Sequence, residues 1–86
     1  MHYIYVIQNE KNKKWYTGYT ADLRKRLNEN NSNMHGFTKN KEPWKFIYCE
    51  AGLDEQDARS REKYLKSGMG KRYLKNRLKR FLSLTG

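Results

Sequence analysis

Trp15-Tyr16-Thr17-Gly18-Tyr19-Thr20-Ala21-Asp22-Leu23-Arg24-Lys25-Arg26-Leu27 reads as the end of a strand, a tight turn and the start of a helix. Tyr16, Tyr19 and Arg26 then come from neighbouring pieces of backbone. Upstream, Tyr3-Ile4-Tyr5-Val6-Ile7 is a run of strand formers, separated from Trp15 by the polar turn material Asn9 to Lys14. The two runs make an antiparallel hairpin and form two walls of one polar site. The first run is apolar almost throughout, as for a strand packed on both faces. Gly18 stands either where positive φ is needed or where the backbone must leave room for something.

Thr20 or Asp22 caps a helix running to about Asn30, with Leu23 and Leu27 as its buried stripe and Arg26 at the border of that seam. Asn30 to Gly36 is a loop, and the connection through Pro43 is long for so small a chain. Trp44 to Ala51 alternates as a third strand. Asp54 and Asp57 form a capping arrangement for a helix whose one face carries Ala58, Arg61, Glu62 and Leu65. Ser67-Gly68-Met69-Gly70 ends it. A last helix is expected from about Lys71 to Leu82, with Leu74, Leu78, Phe81 and Leu82 as its stripe. The expected fold is α+β, in the order β-β-α-β-α-α, as a single domain over residues 1–86.

The formal net charge is +10 and is unevenly placed. Residues 59–80 carry ten Lys/Arg against Glu62 alone, whereas residues 1–58 carry nine against eight acids. So one-sided a block usually meets a polyanion, most often nucleic acid; a solubilising tail or an anionic membrane surface is the alternative. Cys49 is the sole cysteine, which excludes an intramolecular disulfide and argues against a thiolate zinc cage. Nothing resembles a signal peptide, and no apolar run approaches the ~20 residues of a membrane span, so a cytoplasmic protein is expected.

Glu62, the one acid in the basic third, lies on the side of its helix that faces the sheet and needs a partner. That partner is either Arg26 or Arg59 in an ion pair, or a hard divalent cation, which keeps several waters and takes few protein carboxylates. Arg26 suits a phosphate in two-point contact, or else a salt bridge to Asp22 one turn back. Tyr5 and Tyr16 either pack or place two phenols side by side, where nearby cations favour phenolate. His35 and His2 have weaker claims. No Ser-His-Asp arrangement, P-loop or HExxH motif is present.

Taken in order, Tyr3-Ile4-Tyr5, Tyr16-Thr17-Gly18-Tyr19-Thr20, Asp22-Leu23, Arg26-Leu27, Glu62-Lys63-Tyr64-Leu65-Lys66 and Tyr73-Leu74-Lys75-Asn76 resemble the GIY-YIG nuclease domain. The likeness covers nearly the whole chain. It is greatest to small single-domain bacterial members related to the N-terminal nuclease module of the excision-repair endonuclease. The resemblance implies a three-stranded antiparallel sheet flanked by helices. It also implies hydrolysis of DNA phosphodiesters with a single Mg²⁺ or Mn²⁺ ion held by Glu62. Arg26 would stabilise the phosphate, Tyr5 or Tyr16 would help deprotonate water, and Tyr19 would fill a further site position. Tyr3 replaces the usual leading glycine, and Asn30 stands where relatives commonly carry histidine. The basic third, with Arg59, Arg61, Lys66, Lys71, Arg72, Lys75 and Asn76, would lie along DNA, branched or damaged duplex included.

Family company suggests repair or recombination, with room for a protein partner that supplies targeting. A nucleic-acid-binding module that no longer cuts, supported by Asn30, is the competing reading. A third is a protein-interaction adaptor whose tyrosines are merely core.

Overall fold

β1 (His2–Asn9) is the middle strand of a three-stranded antiparallel sheet, flanked by β2 (Trp15–Thr20) and β3 (Trp44–Gly52) in the order β2-β1-β3. The computed structural model describes residues 1–32 and 43–85, without the side chains of residues 30–32 and 85. The expectations for His35, for the rest of the loop before Pro43 and for the Asn30 side chain lie outside the described residues. The central place of β1 accounts for its composition. Ile4 and Val6 point to one face, Tyr5 and Ile7 to the other, and all four are buried.

Asn9 organises the hairpin turn. Its fully buried side-chain Oδ1 accepts from the Lys11 and Asn12 amides at 2.8 and 3.2 Å, and its backbone N–H donates to Lys14 O at 2.8 Å. Lys13 takes φ of 64° within this turn. At the far end of β2, Thr20 Oγ1 accepts from Asp22 N at 3.0 Å, and Asp22 Oδ1 accepts from Lys25 N at 3.0 Å. Asp22 is therefore the cap that starts α1 (Leu23–Ser32), which sets Arg26 at the end of its first turn.

The inner side of α1 differs from the expected apolar stripe. Leu23 is half-buried, but Leu27 is exposed. Arg26 and Glu29 are instead partly buried and paired at 3.1 Å. The expected Arg26–Asp22 bridge is not formed among the described residues, because the Asp22 carboxylate is occupied with its own helix terminus. The helix is polar on this side because it borders a polar site rather than a core.

α2 (Glu55–Lys66) covers the other face of the sheet, capped by Asp54, whose carboxylate accepts from Asp57 N at 2.9 Å. Ala58 and Leu65 from α2, with Leu74 from α3 (Gly68–Arg77), close over Ile4 and Val6. The expected four-residue break after α2 is in fact Ser67 alone. Its N–H and hydroxyl both donate to Tyr64 O, at 3.0 and 2.6 Å, and its Oγ accepts from Gly70 N at 3.1 Å. One residue thus ends α2 and caps α3. The glycine at position 70 serves close approach rather than a turn: a Cβ there would overlap the Tyr64 carbonyl and lie 2.5 Å from Leu65 Cα.

The expected single helix from Lys71 to Leu82 is two. α3 ends at Arg77, Leu78 takes φ −100° and ψ 17°, and α4 spans Lys79–Thr85. The apolar spacing Leu74, Leu78, Phe81, Leu82 runs unbroken through the bend, so it carries no mark of it. Among the described residues no helix is long and apolar enough to cross a membrane.

Gly70→Ala sets a helix-propensity gain of about 1 kcal/mol against a backbone overlap. The overlap should win, with a net loss of roughly 1–3 kcal/mol in urea denaturation. Gly52→Ala meets nothing within 4 Å and should stay within about 0.5 kcal/mol of the parent.

Candidate functional site

The strand register sets the first element of the site. Tyr5 pairs with Gly18 and Ile7 with Tyr16 across the hairpin. Opposed residues share a face, so the phenols of Tyr5 and Tyr16 open on the same side of the sheet. A Cβ at Gly18 would lie 2.5 Å from both Cζ and Oη of Tyr5. Of the two readings open for Gly18, the steric one holds: the bare backbone leaves the space in which the Tyr5 ring lies. Phe46 backs that ring at 5.2 Å between centroids. Tyr5 is 2% exposed and Tyr16 42%, so one phenol is enclosed and the other faces solvent.

Arg26 brings its guanidinium to 5.9 Å from the Tyr5 ring centroid. One Nη is held by Glu29, while the buried Nε has no hydrogen-bond partner among the described residues. A partly buried guanidinium whose enclosed Nε lacks a partner among the described residues favours an added oxyanion.

Glu62 approaches from α2. Its side chain is 16% exposed and meets Lys66 Nζ at 3.1 Å and Arg59 Nη1 at 4.0 Å. Of the two arginines considered for it, Arg59 is the one it meets; no Arg26 pair is present among the described residues, since Arg26 is engaged by Glu29. Electrostatics tie the four groups together. Burial pushes the Tyr5 phenol up to about 12; Arg26 pulls it down, and Tyr16, Glu62 and Glu29 add to the rise. Tyr5 is therefore a protonated donor at neutral pH.

Tyr19 belongs to the opposite face, paired with Ile4 and packed against the core. Its hydroxyl lies 2.7 Å from His2 Nδ1, and the Arg59 guanidinium sits 3.8 Å from its ring centroid. Tyr19 thus adjoins Glu62 through Arg59 instead of standing beside Tyr5 and Tyr16. His2, given only a weaker claim in the sequence, meets Tyr19, and Glu29 was passed over, its only available signal being its place one turn after Arg26.

The basic candidates divide by what they touch. Arg59 is occupied with Glu55, Glu62 and Tyr19, and Lys66 with Glu62. Arg61 Nε donates to Glu50 at 2.9 Å, and its guanidinium lies over the Tyr64 and Tyr73 rings. The Tyr48 hydroxyl donates to the other Glu50 oxygen at 2.7 Å. The Arg61–Glu50 contact raises the Arg61 pKa and ties α2 to β3. Lys71, Arg72, Lys75 and Asn76 are exposed on α3.

Among the described residues no group of three or more His, Cys, Asp or Glu gathers to hold a metal. The donor chemistry at Glu62 fits a hard cation that takes one carboxylate and completes its shell with water and phosphate oxygen. It does not fit an all-protein cage.

Residues 1–77 match the family model described as the GIY-YIG catalytic domain. A UPF0213 protein of Clostridium perfringens (strain 13 / Type A) is 34% identical over 67 residues, spanning 77% of this chain and 71% of the relative. UPF0213 protein YazA of Bacillus subtilis (strain 168) is 35% identical over 66 residues, spanning 76% of this chain and 66% of the relative. No solved structure matches the chain.

The raised Tyr5 pKa has a measurable effect on stability. The unfolded phenol loses its proton near pH 10 while the folded one keeps it to about 12. Stability contributed below pH 10 is therefore lost as pH rises through this window, by about 1.4 kcal/mol per pH unit for one proton. Urea denaturation between pH 10 and 12 should show that slope lessened by up to this amount in Tyr5→Phe. Tyr48, also raised by burial and its bond to Glu50, keeps its own contribution in both proteins.

Proposed function

We propose, since this chain belongs to the GIY-YIG catalytic domain family, that it is a divalent-metal-dependent endonuclease acting on DNA phosphodiesters. What supports this is an enclosed phenol, an exposed phenol on the same sheet face and a guanidinium beside them, with the half-buried Glu62 carboxylate near enough to act electrostatically on the enclosed phenol. Tyr5 keeps its proton and donates a hydrogen bond to a phosphate oxygen or to the attacking water. Tyr16 meets that water and takes part in removing its proton, because burial disfavours phenolate at Tyr5. Arg26 stabilises the charge that develops on the phosphate oxygens. Glu62 holds the cation, which when bound supplies a water of lowered pKa and positive charge at the phosphate. Lys66 and Arg59 neutralise Glu62 otherwise. Both are more than half exposed, so these pairs are weak and yield readily.

Mg²⁺ or Mn²⁺ as a single ion suits one carboxylate. A repair or recombination setting, a cytoplasmic location and a targeting partner are supported by family likeness alone. The basic block supports DNA as the substrate through its charge.

The test uses supercoiled plasmid with Mg²⁺, with Mn²⁺ and with chelator. The parent should nick only with metal. Glu62→Gln should abolish nicking, and Arg26→Ala should lower kcat by about 10²–10³-fold while DNA binding changes little. Nicking that persists in chelator or in Glu62→Gln refutes the mechanism. Salt-sensitive binding without any nicking leaves the non-cutting module.

A further inference from the structure

A groove of about 880 Å³ opens between the β1–β2 turn and helices α3 and α4. Lys13 and Lys14 form one bank. Lys71, Lys75 and Lys79, spaced one helical turn apart, form the other. Trp15 and Leu82 supply the apolar part of its lining, and no acid lines it. Among the described residues no carboxylate pairs with Lys14, Lys71, Lys75 or Lys79, unlike Arg59, Arg61 and Lys66. The strand-side bank of the lining is fixed in place. Trp15 Nε1 donates to Gln8 Oε1 at 2.7 Å, and the turn that carries Lys13 and Lys14 is held by Asn9.

We infer that this groove is an exosite for the phosphodiester backbone of the nucleic acid, gripping it outside the point of cleavage. Two observations carry it beyond a general basic surface. Five ammonium groups converge on one concavity beside an aromatic side chain, the combination that follows a nucleic-acid backbone and offers a base a stacking plane. And Trp15 directly precedes Tyr16 on β2, whose outer edge is unpaired in the sheet. Consecutive strand residues face opposite ways, so the groove and the exposed phenol adjoin across that edge. A chain of phosphates can pass from one to the other. The inference rests on the nucleic-acid reading above but not on cleavage. The backbone held is that of a single strand or of a duplex arm; both present the same phosphates.

Binding is measured in chelator, on the Glu62→Gln chain so that nothing is cut, with a fluorescent single strand and a fluorescent blunt duplex. Lys71→Ala/Lys75→Ala/Lys79→Ala should weaken binding by about tenfold or more at roughly 0.1 M salt. It should also lower the slope of log K against log salt by about 2–3, since each lost phosphate contact removes ~0.7–0.9. Lys63→Ala/Arg77→Ala/Arg80→Ala removes the same charge outside the groove and should change affinity several-fold less. Whichever probe suffers the greater loss identifies the backbone held.

Trp15 fluorescence, read in a Trp44→Phe background with the lysines intact, should be quenched by the bound probe. With metal and an otherwise parental active site, the groove triple variant should nick with raised KM and unchanged kcat. Equal losses in the two triple variants, or binding that leaves Trp15 unquenched, overturns the exosite. Quenching and groove-dependent binding in a chain that never nicks upholds the exosite and sinks the endonuclease reading instead.

Discussion

The ring of Tyr5 lies in the space that a side chain at position 18 would fill. That steric fact orders much else. It requires glycine on β2 opposite a tyrosine on β1, and so it requires this register of the hairpin. A one-residue slip would turn Tyr5 toward Ala58, Leu65 and Leu74 and turn Ile4 and Val6 away from them, placing an uncompensated phenol against the apolar face of the helices. The polar site and the apolar core are thus the two faces of one strand pairing.

The enclosure that places Tyr5 also determines its chemistry. Burial holds its proton against the pull of Arg26, and Tyr16, Glu62 and Glu29 reinforce it. The pair of tyrosines is therefore unequal, one enclosed and one open, though their motifs look symmetrical in the chain. A parallel division separates the arginines. Arg26 reaches the site with a donor to spare, whereas Arg61, in the basic third of the chain, is held between Glu50 and two aromatic rings as a brace between α2 and β3. Charge counted along a sequence does not distinguish a brace from a binding group; only the partners do.

The strands, the hairpin, the Asp22 and Asp54 caps and the α+β order could be read directly, because each rests on local chemistry that neighbours in the chain supply. So could the shared face of Tyr5 and Tyr16, which follows from the hairpin register. What escaped depends on distant contacts. The polar inner side of α1 follows from what lies beneath it, so Leu27 misled. The bend at Leu78 leaves hydrophobic spacing undisturbed. The lysines of the β1–β2 turn looked like ordinary turn residues until the helices were seen opposite them.

Ser67 completes both α2 and α3 with a single hydroxyl. Two rods joined through so short a joint cannot slide independently: a tug on one is felt as a tilt of the other. The lysine-bearing arm and the carboxylate-bearing arm thus share one joint, and the bare backbone of Gly70 against the Tyr64 carbonyl keeps them close.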